Sequence, residues 1–182
     1  MSIKREKILR TADRLFYEHG FRGVGLKQII KEADVATMTL YNHFDSKDKL
    51  VEEVLLTREE RYWSYLDHDV EEGGESPFIA AVAAHGRFLK QESYKGCMFL
   101  RAIQDYANTD NQIEQIARQH KTKLLTYFQQ LAERKGKTQQ KEIAYQMTLL
   151  LEGATSMTEL IGAEAATAHS ITMARMMIRE SS

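Results

Sequence analysis

Apolar side chains recur at a period near 3.6 along almost all of this 182-residue chain, no stretch alternates convincingly with period two, and one proline, Pro77, interrupts it. That pattern supplies helices and no sheet, because a helix gathers every third or fourth side chain on one face while a strand alternates between two. The expected fold class is all-α. With 43% hydrophobic and 28% charged residues, the chain holds enough apolar material for one sizeable core, or for a small module joined to a larger one. The same composition argues against disorder and against a disulfide scaffold.

The spacing predicts a first helix over about Lys4–His19, with Ile8, Leu9, Ala12, Leu15 and Phe16 as its apolar stripe and Gly20 as a left-handed cap residue. A short second helix follows over Leu26–Ala33, burying Ile29, Ile30 and Ala33, before "DVA" interrupts it and "TMTLYNHF" begins a third. Eight residues, then three, then eight is helix-turn-helix spacing. At "DSKDKL" a fourth helix starts, with Asp45 or Ser46 as N-cap and Asp48 three after Asp45 in the manner of a capping box. It continues through Val51, Val54, Leu55 and Trp63 to about Val70. "EEGGESP" breaks the chain, with Ser76 as N-cap and Pro77 at the first helical position. Helices are then predicted over Phe78–Ser93, Cys97–Ala107, Asp110–Lys135, Gln139–Ile161 and Ala165–Arg179, punctuated by Gly96, "NTD", "GKT" and Gly162.

In a helix-turn-helix the second helix enters the major groove, so it needs an apolar side for packing and a polar side for base edges. The stretch "ATMTLYNHFDSKDKL" divides that way. Leu40 and Phe44, four apart, can pack on Ile29, Ala33 and Val35, which leaves Thr37, Met38, Thr39, Tyr41, Asn42 and His43 on the remaining surface. Threonine hydroxyls bond bases or phosphates, asparagine pairs with adenine, and Met38 suits a thymine methyl. Lys47 opposes the helix macrodipole in the first turn of the fourth helix, a cost that a bound phosphate would reverse. Charge leans the same way: residues 1–50 carry 10 basic against 7 acidic side chains and residues 51–182 carry 15 against 19, so the basic excess sits at the front.

The N-terminal segment resembles the DNA-binding domain of the TetR family of transcriptional regulators, through "ILRTADRLFYEHGF", "LKQIIKEADV" and "TLYNHFDSKDKL" in that order and spacing. The resemblance is strong over about residues 4–55. It implies that Thr37, Met38, Thr39, Asn42 and His43 occupy recognition-helix positions, that Tyr41 and Lys47 touch phosphate, and that Lys27 makes another backbone contact. The sequence departs from the family pattern at Asp34, where glycine is usual in the turn; at Ala36, where a Ser or Thr cap is usual, although Thr37 stands ready to cap one residue later; and at Val24 and Gly25, where Thr and Ser are usual before the second helix. Beyond residue 55 the resemblance is architectural, except that "KGCMFLRAIQDYA" is similar to a "GC" helix of several subfamilies.

The family organisation implies a DNA-binding domain over residues 1–55, with its motif at about 25–44, and a helical ligand-binding and dimerisation domain over 56–182. Tyr62, Trp63, Phe78, Phe88, Met98, Phe99, Tyr106 and Met147 are the large, adaptable side chains expected near a ligand, and His85, Arg101 and Gln104 the polar ones. Each is equally of the type that fills a core. The last two helices carry Leu149, Leu150, Gly153, Met157 and Ile161, then Ile171, Ala174, Met177 and Ile178, apolar enough to pack a partner. The resemblance implies a homodimer built on them. Two recognition helices would then meet a near-palindromic double-stranded operator, with half-sites about 34–36 Å apart or more.

Other functions find less support. "ERKGKT" ends like a phosphate-binding loop, but Leu131 stands where its first glycine belongs. The six histidines, His19, His43, His68, His85, His120 and His169, show no metal-ligand spacing, and no serine sits in a nucleophile elbow. No enzyme activity, metal or cofactor is therefore expected. The lone Cys97 allows no intrachain disulfide, and neither a secretory signal nor a membrane span is apparent, which points to the cytoplasm. The expected function is a ligand-responsive repressor answering to an unidentified small-molecule effector. The alternative is a helical ligand-binding or protein-interaction dimer with structural or impaired DNA binding.

Overall fold

A computed structural model describes residues 2–72, 76–107 and 112–180, with the backbone alone at 68–72 and 179–180. The predicted "NTD" punctuation, the helix start at Asp110 and the centre of the "EEGGESP" break lie outside the described residues. Among the described residues the chain is all-α: α1 (Ile3–His19), α2 (Leu26–Glu32), α3 (Thr37–Tyr41), α4 (Lys47–Glu72), α5 (Pro77–Glu92), α6 (Met98–Asp105), α7 (Gln112–Arg134), α8 (Gln140–Ile161) and α9 (Ala163–Glu180).

The helices form two compact units, one of Met1–Glu60 with Met98–Gln119 and the other of Arg61–Cys97 with His120–Ser182. Residues 56–60 and Met98–Gln119 thus sit with the N-terminal helices, where the sequence had suggested the second domain. In the first unit the predicted stripe of α1, Ile8, Leu9, Ala12, Leu15 and Phe16, is buried together with Phe21 and Val24 of the following loop. Gly20 closes α1 with its N–H on the Phe16 carbonyl at φ +77°, ψ 160°, a region open to glycine but outside the left-handed helical well expected for it. Helix α6 is tied to the same core. Arg101 donates to the Tyr17 carbonyl at 2.7 Å and lies 4.9 Å over the Tyr17 ring, and Arg22 donates to the Asp105 carbonyl. A partly buried ion pair, Arg58 to Asp13 at 2.9 Å, joins α4 to α1.

In the second unit Tyr62, Leu66, Phe78, Phe88, Phe128, Met147 and Leu151 share one apolar cluster. Helices α5, α8 and α9 pack around it. At Gly86 a Cβ would collide with the Thr167 side chain, so α5 and α9 approach as closely as they do because that residue has none. Leu150 and Ala174, predicted as partner-facing, turn inward and are buried; Ile171, Met177 and Ile178 pack partly against the same cluster.

Candidate nucleic-acid interface

Helix α2 ends in a hydrogen-bonded turn that dictates where α3 begins. Ala33 is its C-cap, the Asp34 N–H bonds the Lys31 carbonyl at 3.2 Å, and the Val35 N–H reaches back to the Ile30 carbonyl at 3.3 Å. This paired arrangement satisfies two carbonyls that the helix end leaves open, and it requires a residue with positive φ at the position after the cap. Asp34 supplies it with φ +49°, at the position where the family resemblance marks glycine as usual. Helix α3 then starts from Ala36, whose side chain offers no hydrogen bond, and Thr37 does not take over as a cap because it is already the first helical residue.

Five residues, Thr37–Tyr41, are α-helical, and bonds from the Asn42, His43 and Phe44 amides to the Met38 and Leu40 carbonyls carry the turn onward. So short a helix has no stability of its own. Leu40 and Phe44, both buried, fasten it to the core. The rest of the segment faces outward: Thr37, Met38, Tyr41 and Asn42 are exposed, and Thr39 and His43 half-buried. Met38 is 68% exposed, far more than an apolar residue needs to be beside a folded core, and hence open to a base methyl.

Ser46 caps α4, accepting the Lys49 amide at 3.1 Å on its Oγ. That choice moves the third helical position to Lys49, so the capping box anticipated from Asp45 and Asp48 does not form. Lys47 becomes the first residue of α4. Its ammonium lies 6.0 Å from the Phe16 ring centroid, and partial burial lowers its pKa, opposed by the Asp48 charge. No hydrogen bond or ion pair among the described residues engages Lys47, nor Lys27, which is exposed in the first turn of α2. Two cations at helix starts without carboxylate partners are disposed to accept phosphate.

The side chains expected around a small molecule divide between the two units. Met98, Phe99, Arg101, Gln104 and Tyr106 belong to the first, where Met98 and Phe99 are buried, Gln104 is exposed, and Tyr106 stacks edge-on to Phe21 with its hydroxyl pKa pushed up to about 12, chiefly by burial. Tyr62, Trp63, Phe78, His85, Phe88 and Met147 belong to the second. There the Tyr62 hydroxyl donates to His85 Nδ1 at 3.2 Å, and His85 Nε2–H faces the Leu151 carbonyl at 3.1 Å and Thr155 Oγ1 at 3.0 Å. Those partners define the neutral Nε2–H tautomer. Burial first, and then the Lys121 charge, lower the His85 pKa to about 3. Tyr62 also packs edge-on to Trp63, Phe88 and His120.

Sequence reasoning missed a polar group in this unit: Lys121 donates to Glu152 at 2.5 Å and to the Cys97 sulfur at 3.2 Å. Burial opposes the Lys121 charge, but Cys97 and Glu152 outweigh it and raise the pKa. No local motif marks residues 97, 121 and 152 as neighbours; they lie far apart in sequence and only the tertiary fold joins them. A groove of about 300 Å³ between α5 and α9, lined by Ala83, Gly86, Lys90, Glu164, Thr167 and Ile171 among others, includes none of the predicted ligand residues. Among the described residues, no three His, Cys, Asp or Glu side chains are grouped to hold a metal ion.

Residues 8–54 match the model of "Bacterial regulatory proteins, tetR family". Over 57 residues the chain is 39% identical to the HTH-type transcriptional regulator UidR of Escherichia coli (strain K12), covering 31% of this chain and 29% of that protein. It therefore spans under a third of the length of this relative. A longer match, 25% identical over 157 residues, covers 85% of this chain and 82% of the HTH-type transcriptional regulator YjdC of the same organism. Among solved structures, a TetR-family transcriptional regulator from Streptomyces coelicolor superposes with a TM-score of 0.90 at 22% identity, covering 98% of this chain and 95% of that one. At that identity the likeness speaks for the fold.

Proposed function

We propose, from the match of residues 8–54 to the tetR family of bacterial regulatory proteins and from the shared fold, that this chain is a DNA-binding transcriptional regulator of that family, a ligand-responsive repressor that binds a near-palindromic operator as a homodimer in the cytoplasm. The observation that carries the proposal is the division of labour along α3 and the turn that follows it: Leu40 and Phe44 are buried, while Thr37, Met38 and Asn42 are exposed. Thr37, Met38, Thr39, Asn42 and His43 read the major groove; Lys27, Tyr41 and Lys47 hold phosphate on either side of it.

The dimer is supported by α8. Tyr145, Leu149, Met157, Leu160 and Ile161 are large apolar residues left exposed, and Gly153 has open space where a Cβ would stand. At about 100° per residue these positions spread over roughly 160°, a little under half of the helix circumference, as one continuous face. Met173 and Met176 add exposed apolar surface on α9. A second copy of the stripe is the natural cover, since single-chain proteins rarely leave such a surface open.

A small molecule bound in the second unit regulates operator binding to the extent that its affinity differs between the DNA-bound and released conformations. Tyr62, Trp63, His85 and Phe88, together in that unit, are the proposed side chains for it. Selection of bound duplexes from a random pool at moderate salt tests the regulator function. Enrichment of an inverted repeat is expected; no enriched repeat would overturn it. Mass spectrometry of small molecules retained by the purified protein tests the effector.

A further inference from the structure

The turn between α2 and α3 holds an acid that neither packing nor the proposed contacts use. Asp34 takes a left-handed φ of +49°, where glycine is unstrained, yet its side chain is 95% exposed. It stands two residues before Ala36, from which the groove-facing helix starts. Lys7 of α1 is its ionic neighbour, with Nζ 3.6 Å from Oδ2 and a side chain 49% exposed. An exposed pair at that separation adds little to stability. Its effect falls on the electrostatic field beside α3. A carboxylate there repels phosphates within a Debye length, about 10 Å at 0.1 M salt, and a lysine engaged by it is not free to release a counterion from DNA.

We propose that Asp34 attenuates DNA affinity, both by repelling duplex phosphates and by holding Lys7 away from them. The attenuation rests on the operator binding proposed above and serves it. A ligand can release a regulator only by as much as its differential affinity, so a moderated grip on DNA keeps release within reach of a modest ligand effect.

The operator recovered by selection is titrated by fluorescence anisotropy at several salt concentrations with the wild type, Asp34→Asn, Lys7→Ala and the double variant. Asparagine tolerates a left-handed φ and so removes the charge without straining the turn. Asp34→Asn should bind about twofold to fivefold tighter near 0.1 M salt. The slope of log affinity against log salt should steepen by about 0.9, a change absent from the Lys7→Ala/Asp34→Asn protein. Wild-type or weaker affinity with an unchanged slope in Asp34→Asn, against an operator the wild type binds, overturns this proposal alone. Failure to recover any operator overturns the regulator function and the attenuation with it.

Discussion

Lys47 shows what one residue can reveal when its chemistry and its place disagree. A cation at the first position of α4 is opposed by the helix dipole and loses hydration against Phe16, and no carboxylate pairs with it. A phosphate would turn both penalties into gains. Lys47→Ala should therefore weaken binding to every duplex and reduce the salt slope by about 1, as measured by titration across salt concentrations. Asn42→Ala should instead relax base preference, costing about 1–3 kcal/mol at one operator position in competition binding. Asp34 makes a backbone prediction independent of its charge: Asp34→Gly removes the left-handed strain and should stabilise the protein by about 0.5–1 kcal/mol in urea denaturation. The turn was legible through the family resemblance, which places Asp34 where glycine is usual, and not through any local pattern of the residues themselves. The choice of Ser46 over Asp45 as cap was not, since either side chain can accept an amide and only the backbone entering α4 decides between them.

Among the helices, those with one apolar face were legible to within a residue or two, because a stripe that must be buried gives its own boundaries. Helix α8 is the instructive exception. Both of its faces carry apolar residues, so periodicity could not say that Leu150 turns to the core while Leu149 is 72% exposed, and exposed Tyr145 and Leu160 of α8, like Met173 and Met176 of α9, went unrecognised. The crossing of α5 and α9 at Gly86 was also hidden, since a glycine inside a helical pattern discloses nothing of the Thr167 side chain opposite it. Gly86→Ala should force the two helices apart and cost about 1–3 kcal/mol in chemical denaturation, despite the better helix propensity of alanine. His85 joins α5 to α4 and α8 as a neutral ring with a pKa near 3. In the unfolded chain it titrates near 6.5, so between these values the unfolded state binds a proton that the folded state refuses. Stability should fall as pH drops from about 6.5, by up to roughly 1.4 kcal/mol per pH unit from this group. Urea titrations at pH 7 and pH 5 should show His85→Gln losing less stability over that interval than the wild type.

At the scale of the whole molecule, the proposed function depends on the proposed assembly. Leu149→Glu places a charge in the middle of the α8 stripe without touching the core. It should leave the helical circular-dichroism signal intact and convert the protein to a monomer by light scattering. Operator affinity should fall by at least about 100-fold, because two half-sites are then no longer bound as one ligand. A dimer of unchanged mass would rule out that surface as the interface. The shortness of α3 bears on how such a molecule changes over generations. Leu40 and Phe44 carry the packing of the recognition segment, whereas Thr37, Met38 and Asn42 are exposed. Substitutions at those three positions put almost none of the fold at risk, so a new target site is within reach of a handful of tolerated changes, whereas changes at the buried residues beneath cost stability.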